Sequence, residues 1–472
     1  MDPTNKPKGP SPHYSLYQRE VFKRGGTTGQ LPTFSVHPEK LSDSVKTKLG
    51  DRSYFYANSN AGLGWTDRAN REAFYRWRIV PRMLVDTNER DLSTTLFGHR
   101  IPAPILFAPI GINKLYAPPG ELIPAKIAGE LGLPYCLSTA ASQPIEDVAA
   151  ANDAAAQAHP DSGYAYVGEQ RTNESKAPRF FQLYMGHDDE ITLSLMTRAF
   201  KSGFDVLMLT VDTWQLGWRP TDIDIANYAF YYPNSVGNEL AQSDPVFMRK
   251  HAADLEKDSG KWIDSAVWHG KAHTWEKVRW AIREWKRISS SRPFLLKGIQ
   301  CAADARKALQ AGCDGVVVSN HAGRQVDGAV ASLEALEEVV REVGGGECRV
   351  SSFIPASCFG PLAASPLSRS LFLLLMKTTI IYDSGIRTGA DIFKALALGA
   401  NAVGVGRMWV WGMAHEGESG CRHVMKSVLA DLDITMTVAG YRSIEKDVRG
   451  NRDALRFNPY GVPPGEGEYA KL

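Results

Sequence analysis

GVVVSNHAGRQ (Gly315–Gln325) and TIIYDSGIRTG (Thr379–Gly389) share one layout: a short apolar run rich in β-branched residues, followed at once by small and chemically active ones. The first places a possible base, His321, three positions before a possible carboxylate fork, Arg324; the second offers small residues and Arg387 where a phosphate could be held. Continuous apolar runs fit strands buried on both faces, and reactive residues at their ends fit the C-terminal rim of a barrel. Working outward, the runs number eight: Ile105–Pro109, Tyr135–Ser138, Phe180–Tyr184, Val206–Val211, Phe294–Lys297, Val316–Ser319, Ile380–Asp383 and Ala402–Val405. Helical patterns follow most of them, among them Ala302–Ala311 and Ala390–Leu398, with Gly312 and Gly399 at their ends. Eight β–α units predict an α/β fold of the closed (β/α)8 TIM-barrel type rather than an open doubly wound sheet. No G-x-G-x-x-G follows the first run, which disfavours a dinucleotide fold.

The rest of the chain is arranged around that repeat. Residues 1–35, rich in Pro, Gly and Lys, predict a flexible N-terminal arm; 36–97 a helical extension; 98–450 the barrel; 451–472 a tail. Between the fourth and fifth runs lies a long stretch, 212–293, with Trp218, Trp262, Trp268 and Trp275. It reads as a lid over the C-terminal face, the alternative being an insertion packed on the barrel's side. The chain has 472 residues and a net charge of +2, without a basic stripe, so nucleic acid is not an expected partner. Its six cysteines show no C-x-x-C spacing, which argues against structural zinc and a disulfide framework, and no metal is expected. No stretch is apolar enough to span a bilayer. Ala470-Lys471-Leu472 is close to the Ser-Lys-Leu address and predicts a peroxisomal location, with the cytoplasm as the alternative.

Residues 345–378, GGECRVSSFIPASCFGPLAASPLSRSLFLLLMKT, interrupt the repeat between the sixth and seventh units. Val350-Ser351 can be encoded by GTAAGT, an intron donor, and Ser368–Leu375 has the Ser, Leu and Phe content of a translated pyrimidine tract. A retained intron over Val350–Lys377 is the expectation, with a genuine loop as its alternative. A mature transcript encoding this stretch refutes it. Such an intron would leave open an inactive product of a mis-spliced gene.

The runs APIG (108–111), FQLY (181–184), TVDTWQLGWRP (210–220), LKGIQ (296–300), SNHAGRQ (319–325), DSGIRTGADIFKALALGA (383–400) and GVGR (404–407) resemble the FMN-dependent α-hydroxy acid dehydrogenase/oxidase family. That family includes glycolate oxidase, lactate oxidase and lactate 2-monooxygenase. The resemblance covers roughly residues 40–450, and the long fourth loop, with SDPVF (243–247) and WHG (268–270), is most similar to lactate 2-monooxygenase. It implies oxidation of an L-2-hydroxy acid, lactate-like, to the 2-oxo acid, with FMN as cofactor, O2 as the acceptor and a homo-oligomer, often a tetramer. Another acceptor, or biosynthetic oxidation of a larger hydroxy acid, is the alternative, the latter because Ala140 stands where the family often has a bulkier residue. A barrel that binds a phosphorylated ligand without redox chemistry is the rival from another class.

The resemblance also implies roles. His321 is the general base, oriented by Asp212. Arg219 and Arg324 clamp the substrate carboxylate, with hydroxyl donors from Tyr56 and Tyr184. Ser138, Gln182, Thr210 and Ser319 contact the flavin, and Lys297 stabilises negative charge on its reduced form. Asp383, Gly385, Arg387, Gly406 and Arg407 hold the ribityl phosphate side. Two positions depart from the family pattern: Ala322 where glycine is usual beside the base, and Met408 where proline is common.

Overall fold

Eight short parallel strands close into a barrel in sequence order, each hydrogen-bonded to the next and the last to the first. They are β1 (Ile105–Phe107), β2 (Tyr135–Ser138), β3 (Arg179–Leu183), β4 (Val206–Thr210), β5 (Phe294–Ile299), β6 (Gly315–Val318), β7 (Thr379–Tyr382) and β8 (Ala402–Val405). The structure, a computed structural model, describes residues 11–168, 176–232, 236–255, 270–344 and 378–460. Alternate residues explain the continuous apolar runs. Leu106, Cys136, Phe180, Met208, Leu295, Val317, Ile381 and Ala402 fill the interior as one cluster. Ile105, Phe107, Tyr135, Leu137, Phe181, Leu207 and Leu209 face the surrounding helices in the other. Leu96 and Ile101, from an antiparallel hairpin (Thr94–Leu96 with His99–Ile101), join the interior cluster.

Helices Ala302–Ala311 and Gly389–Ala397 follow β5 and β7. The second starts with a reciprocal cap between Thr388 and Asp391. The helix after β4 is Trp275–Ser289, capped by the Thr274 hydroxyl and burying Val278, Ala281, Ile282 and Trp285. The irregular connection therefore ends near Thr274, not at residue 293. Its described part carries three short helices, Pro220–Asp224, Glu239–Gln242 and Pro245–Leu255. Trp262 and Trp268 lie outside the described residues, as do 345–377 of the interrupting stretch and the Ala470-Lys471-Leu472 run.

The N-terminal stretch differs from the expected arm. Leu16–Thr28 is a helix, and the chain before it is held down: the Ser15 amide donates to Asp433 at 2.8 Å, and the Leu92 amide to the Ser11 hydroxyl at 2.9 Å. Asp433 is itself buried in an ion pair with Arg90 (2.6 Å). The anchoring is polar and long-range, so no apolar periodicity announces it. Helices Pro38–Lys48, Asp51–Asn58 and Trp65–Arg76 then lead to the barrel. No helix among the described residues is long and apolar enough to cross a membrane.

Candidate active site

At the C-terminal ends of β2 to β7, six polar side chains run from strand to strand. Ser138 donates to Gln182 (3.0 Å), Gln182 to Thr210 (3.0 Å), and Thr210 is level with Lys297 in the register. The Lys297 ammonium lies 3.1 Å from the Ser319 hydroxyl and 3.5 Å from Asp383. Burial would depress the Lys297 pKa, but Asp383 and Asp212 outweigh it and raise it, so the lysine stays charged. Ser138, Lys297 and Asp383 line a cleft of about 1220 Å³, part of it open to solvent. Gln182, Thr210 and Ser319 are buried beside these lining groups.

His321 enters the same cleft from the loop after β6. Its Nδ1 lies 2.8 Å from Asp212 Oδ1, and the Thr213 hydroxyl is within 3.0 Å of Nδ1. Burial pushes the Asp212 carboxyl up, and His321, Lys297 and Thr213 reverse this, holding it well below the usual carboxylate range. The imidazole pKa is lowered, with burial the largest cause and Asp212 opposing it. Burial thus weakens the hold of the imidazole on a proton, while Asp212 supports its protonated form. The loop is tightly shaped: His321 and Ala322 both have φ near +56°, the left-handed region that most residues avoid. Ala322 N–H donates to the Ser384 hydroxyl at 3.0 Å, and its carbonyl accepts from Arg407 at 3.0 Å. Behind the pair, Gly298 has φ +104°, and a Cβ there would lie 2.8 Å from the Asp212 Cβ.

Arg219 and Arg324 are neighbours on the next wall. Arg219 Nε donates to the Arg324 carbonyl (2.8 Å) and its Nη2 to Gln325 (2.7 Å). Arg324 donates to the carbonyls of Ser59 (2.8 Å) and Tyr56 (2.6 Å). These acceptors are neutral oxygens. Burial, then repulsion from Arg324, pushes Arg219 down to about 9. Two crowded guanidiniums make this wall ready for an anion. Tyr56, on the Asp51–Asn58 helix, and Tyr184 line the cleft beside them, and burial raises the pKa of both phenols.

A second cationic corner lies beyond β7 and β8. Burial, then repulsion from Arg407 and Arg71, pushes Arg387 down to about 10. Arg407 opens the helical stretch Arg407–Ala439, which kinks at Glu416 and Gly417, directly after Gly406. Gly385 has φ +91°, and a Cβ on Gly404 would lie 3.3 Å from both Ala108 and Asp383. Loops after β7 and β8, a helix N-terminus and arginines are the elements from which such barrels usually build a phosphate site.

All sixteen residues singled out from sequence therefore lie in the cleft wall or directly against it. The sequence reading missed Thr213, bonded to both members of the His321–Asp212 pair, and Ser384, which fixes the base's loop. Thr213 was signalled by its place next to Asp212 in TVDT. It also missed Asp222, which lines the cleft and accepts from the Ser59 hydroxyl at 2.5 Å.

The profile of the family described as FMN-dependent dehydrogenase matches residues 45–451. A relative named FMN-dependent alpha-hydroxy acid dehydrogenase qulF, from Penicillium citrinum, is 38% identical over 466 residues, covering 97% of this chain and 98% of its own. An L-lactate oxidase from Lysinibacillus sphaericus is 36% identical over 421 residues, covering 89% of this chain and 92% of its own. Among solved structures, a soluble mutant of the membrane-associated (S)-mandelate dehydrogenase from Pseudomonas putida superposes with a TM-score of 0.68 at 28% identity, covering 90% of this chain and 100% of that one.

Proposed function

Since the chain belongs to the FMN-dependent dehydrogenase family, with FMN as cofactor, we propose that it oxidises an L-2-hydroxy acid to the 2-oxo acid and passes the electrons to O2. The observation that carries this reading is the meeting of the His321–Asp212 pair with the buried Arg219 and Arg324 in one cleft.

The residues fit FMN. The strand-to-strand rim from Ser138 to Asp383 presents donors and acceptors to a polar ring edge, with the charged Lys297 among them. Arg387 and Arg407 suit the phosphate, and a side chain at Gly404 would crowd Ala108 and Asp383. When bound, FMN supplies the two-electron acceptor for the substrate's Cα–H. Arg219 and Arg324 would hold the carboxylate, with the Tyr56 and Tyr184 hydroxyls as further donors, and so fix which face of the substrate carbon is presented. His321 would take the hydroxyl proton on Nε2, and Asp212 would stabilise the imidazolium formed. Lys297 would offset negative charge that builds up on the cofactor.

Anaerobic bleaching of the yellow protein by L- but not D-2-hydroxy acids is the test. Bleaching by no hydroxy acid overturns the reading. Under air, one peroxide per turnover without carbon dioxide identifies an oxidase. Carbon dioxide instead of peroxide identifies the lactate 2-monooxygenase type, and neither product points to another acceptor.

A further inference from the structure

Residues 11–34 touch the rest of the molecule at few points, and histidines stand at those points. The helix Leu16–Thr28 buries none of its side chains. Just after its start, the Tyr17 hydroxyl lies 2.6 Å from His423 Nδ1. At the far end of the segment, Phe34 stacks on His415 with ring centroids 4.3 Å apart and meets His423 in a T-shaped contact at 5.2 Å. Both histidines belong to the helical stretch Arg407–Ala439. His13, within the segment itself, is buried beside the Arg90–Asp433 ion pair to which the Ser15 amide is tied.

Each of these rings has a buried nitrogen without a hydrogen-bond partner among the described residues: Nε2 of His13, Nδ1 of His415 and Nε2 of His423. An imidazolium carries N–H on both nitrogens, so protonation would leave a buried donor unmet on every ring. Each ring also faces a cation. Arg90 acts on His13, Lys48 on His415 and Arg24 on His423. Lys48 is held there by bonding the His415 carbonyl. Carboxylates oppose these cations: Asp433 at His13, and Glu416 at both His415 and His423. Asp433 is already engaged by Arg90 and the Ser15 amide. Around Tyr17 stand Glu20, Arg24, Arg422 and Lys426. Burial is the largest influence on all three rings, and the pKa of each is lowered.

We propose that residues 11–34 form an acid-released clasp, seated on the barrel while His13, His415 and His423 are neutral and freed when these rings take up protons. The rings bind protons more tightly once the segment is free. Seating is therefore strongest above about pH 6.5 and is lost as the pH falls below it. A ring kept neutral while seated, and titrating near 6.5 when free, tips the balance toward release by up to about thirtyfold near pH 5. The helix buries no side chain that would resist this.

Hydrogen exchange of the full-length holoprotein, corrected for the intrinsic rate and compared at about pH 7.5 and about pH 5, tests the clasp. Protection of Leu16–Thr28 should fall by about tenfold or more on acidification, while that of Ala302–Ala311 in the barrel holds. Equal protection of Leu16–Thr28 at both pH values overturns the proposal, and so does a loss shared by the barrel helix. The triple variant His13→Gln, His415→Gln, His423→Gln should keep its protection in acid; a fall like that of the wild type overturns the proposal. If the triple variant does not seat even at the higher pH, Arg24→Gln decides. It leaves all three rings in place and removes the cation facing His423, so release should move to lower pH. A release pH that stays or rises overturns the proposal.

Discussion

Replacing Asp212 by asparagine isolates one charge. The amide keeps the size of the carboxylate and can still hydrogen-bond His321 Nδ1, which lies 2.8 Å from Asp212 Oδ1. What is lost is the attraction that grows as the imidazole accepts a proton. Unit charges about 4 Å apart at an effective dielectric near 20 interact by about 4 kcal/mol. With about 1.4 kcal/mol per factor of ten, substrate-driven bleaching should slow by about a thousandfold if the whole interaction is felt in the transition state, and by about a hundredfold if two thirds of it is. The assay is anaerobic stopped-flow at the flavin absorbance, from mildly acid to mildly alkaline pH. The pH profile adds an independent reading. The imidazole must be neutral to act, so kcat/KM rises with pH through the His321 pKa. Burial already lowers that pKa and Asp212 is the largest influence raising it, so the acid limb of Asp212→Asn should move to lower pH. FMN content should hold, because the Lys297 ammonium keeps its contacts to Ser319 and Asp383. Bleaching within about threefold of the wild type, well under one factor of ten, would refute the assignment. So would a thousandfold loss with an unmoved acid limb.

Three further substitutions test other parts of the site. Arg219→Lys keeps the charge but not the planar fork. It should lower kcat/KM by about one to two powers of ten, corresponding to about 1.5–3 kcal/mol for a charge-assisted contact, with FMN content unchanged. Gly298→Ala adds a methyl 2.8 Å from the Asp212 Cβ at φ +104°, and should cost about 1–3 kcal/mol of stability in urea titrations as well as slowing bleaching. Ala322→Gly relieves a left-handed alanine at φ +56° and should raise stability by up to about 1 kcal/mol, read as a higher Tm of the holoprotein; a lower Tm would show that the loop is not strained.

The barrel was legible because its strands are buried on both faces, which writes them as unbroken apolar runs; all eight fall where those runs predict, to within about two residues. The chemistry at their ends was legible because a base, a fork and a phosphate loop each need particular residue types at the strand-to-loop junction. What sequence reading lost was anchoring by polar contacts between distant segments. Leu16–Thr28 has no buried side chain, so nothing in its pattern marks it as docked, yet Ser15 just before it is tied to Asp433. Trp275–Ser289 lies inside the stretch 212–293 that reads as a lid, although Val278, Ile282 and Trp285 recur at helical spacing on one buried face. The aromatic turn at Tyr228–Phe230 could not be placed at all from sequence. Its position depends on Asn227, Asp222 and Arg52, which come together only in three dimensions.

The Arg407 guanidinium bonds the carbonyls of Ala57 (3.0 Å) and Ala322 (3.0 Å) and the side chains of Asp67 (2.8 Å) and Asn60 (3.1 Å). One side chain thereby fastens the segment before the barrel to the loop of the base and to the corner suited to phosphate. The barrel's mouth is latched by residues translated long before it, and in the proposed cofactor site that latch would share its cation with the phosphate. Loading FMN there and seating the N-terminal segment would then be two halves of one equilibrium. A chain short of cofactor should be nicked by proteases around residues 51–65 faster than the loaded one, and a chain whose N-terminal segment is cut should release its FMN.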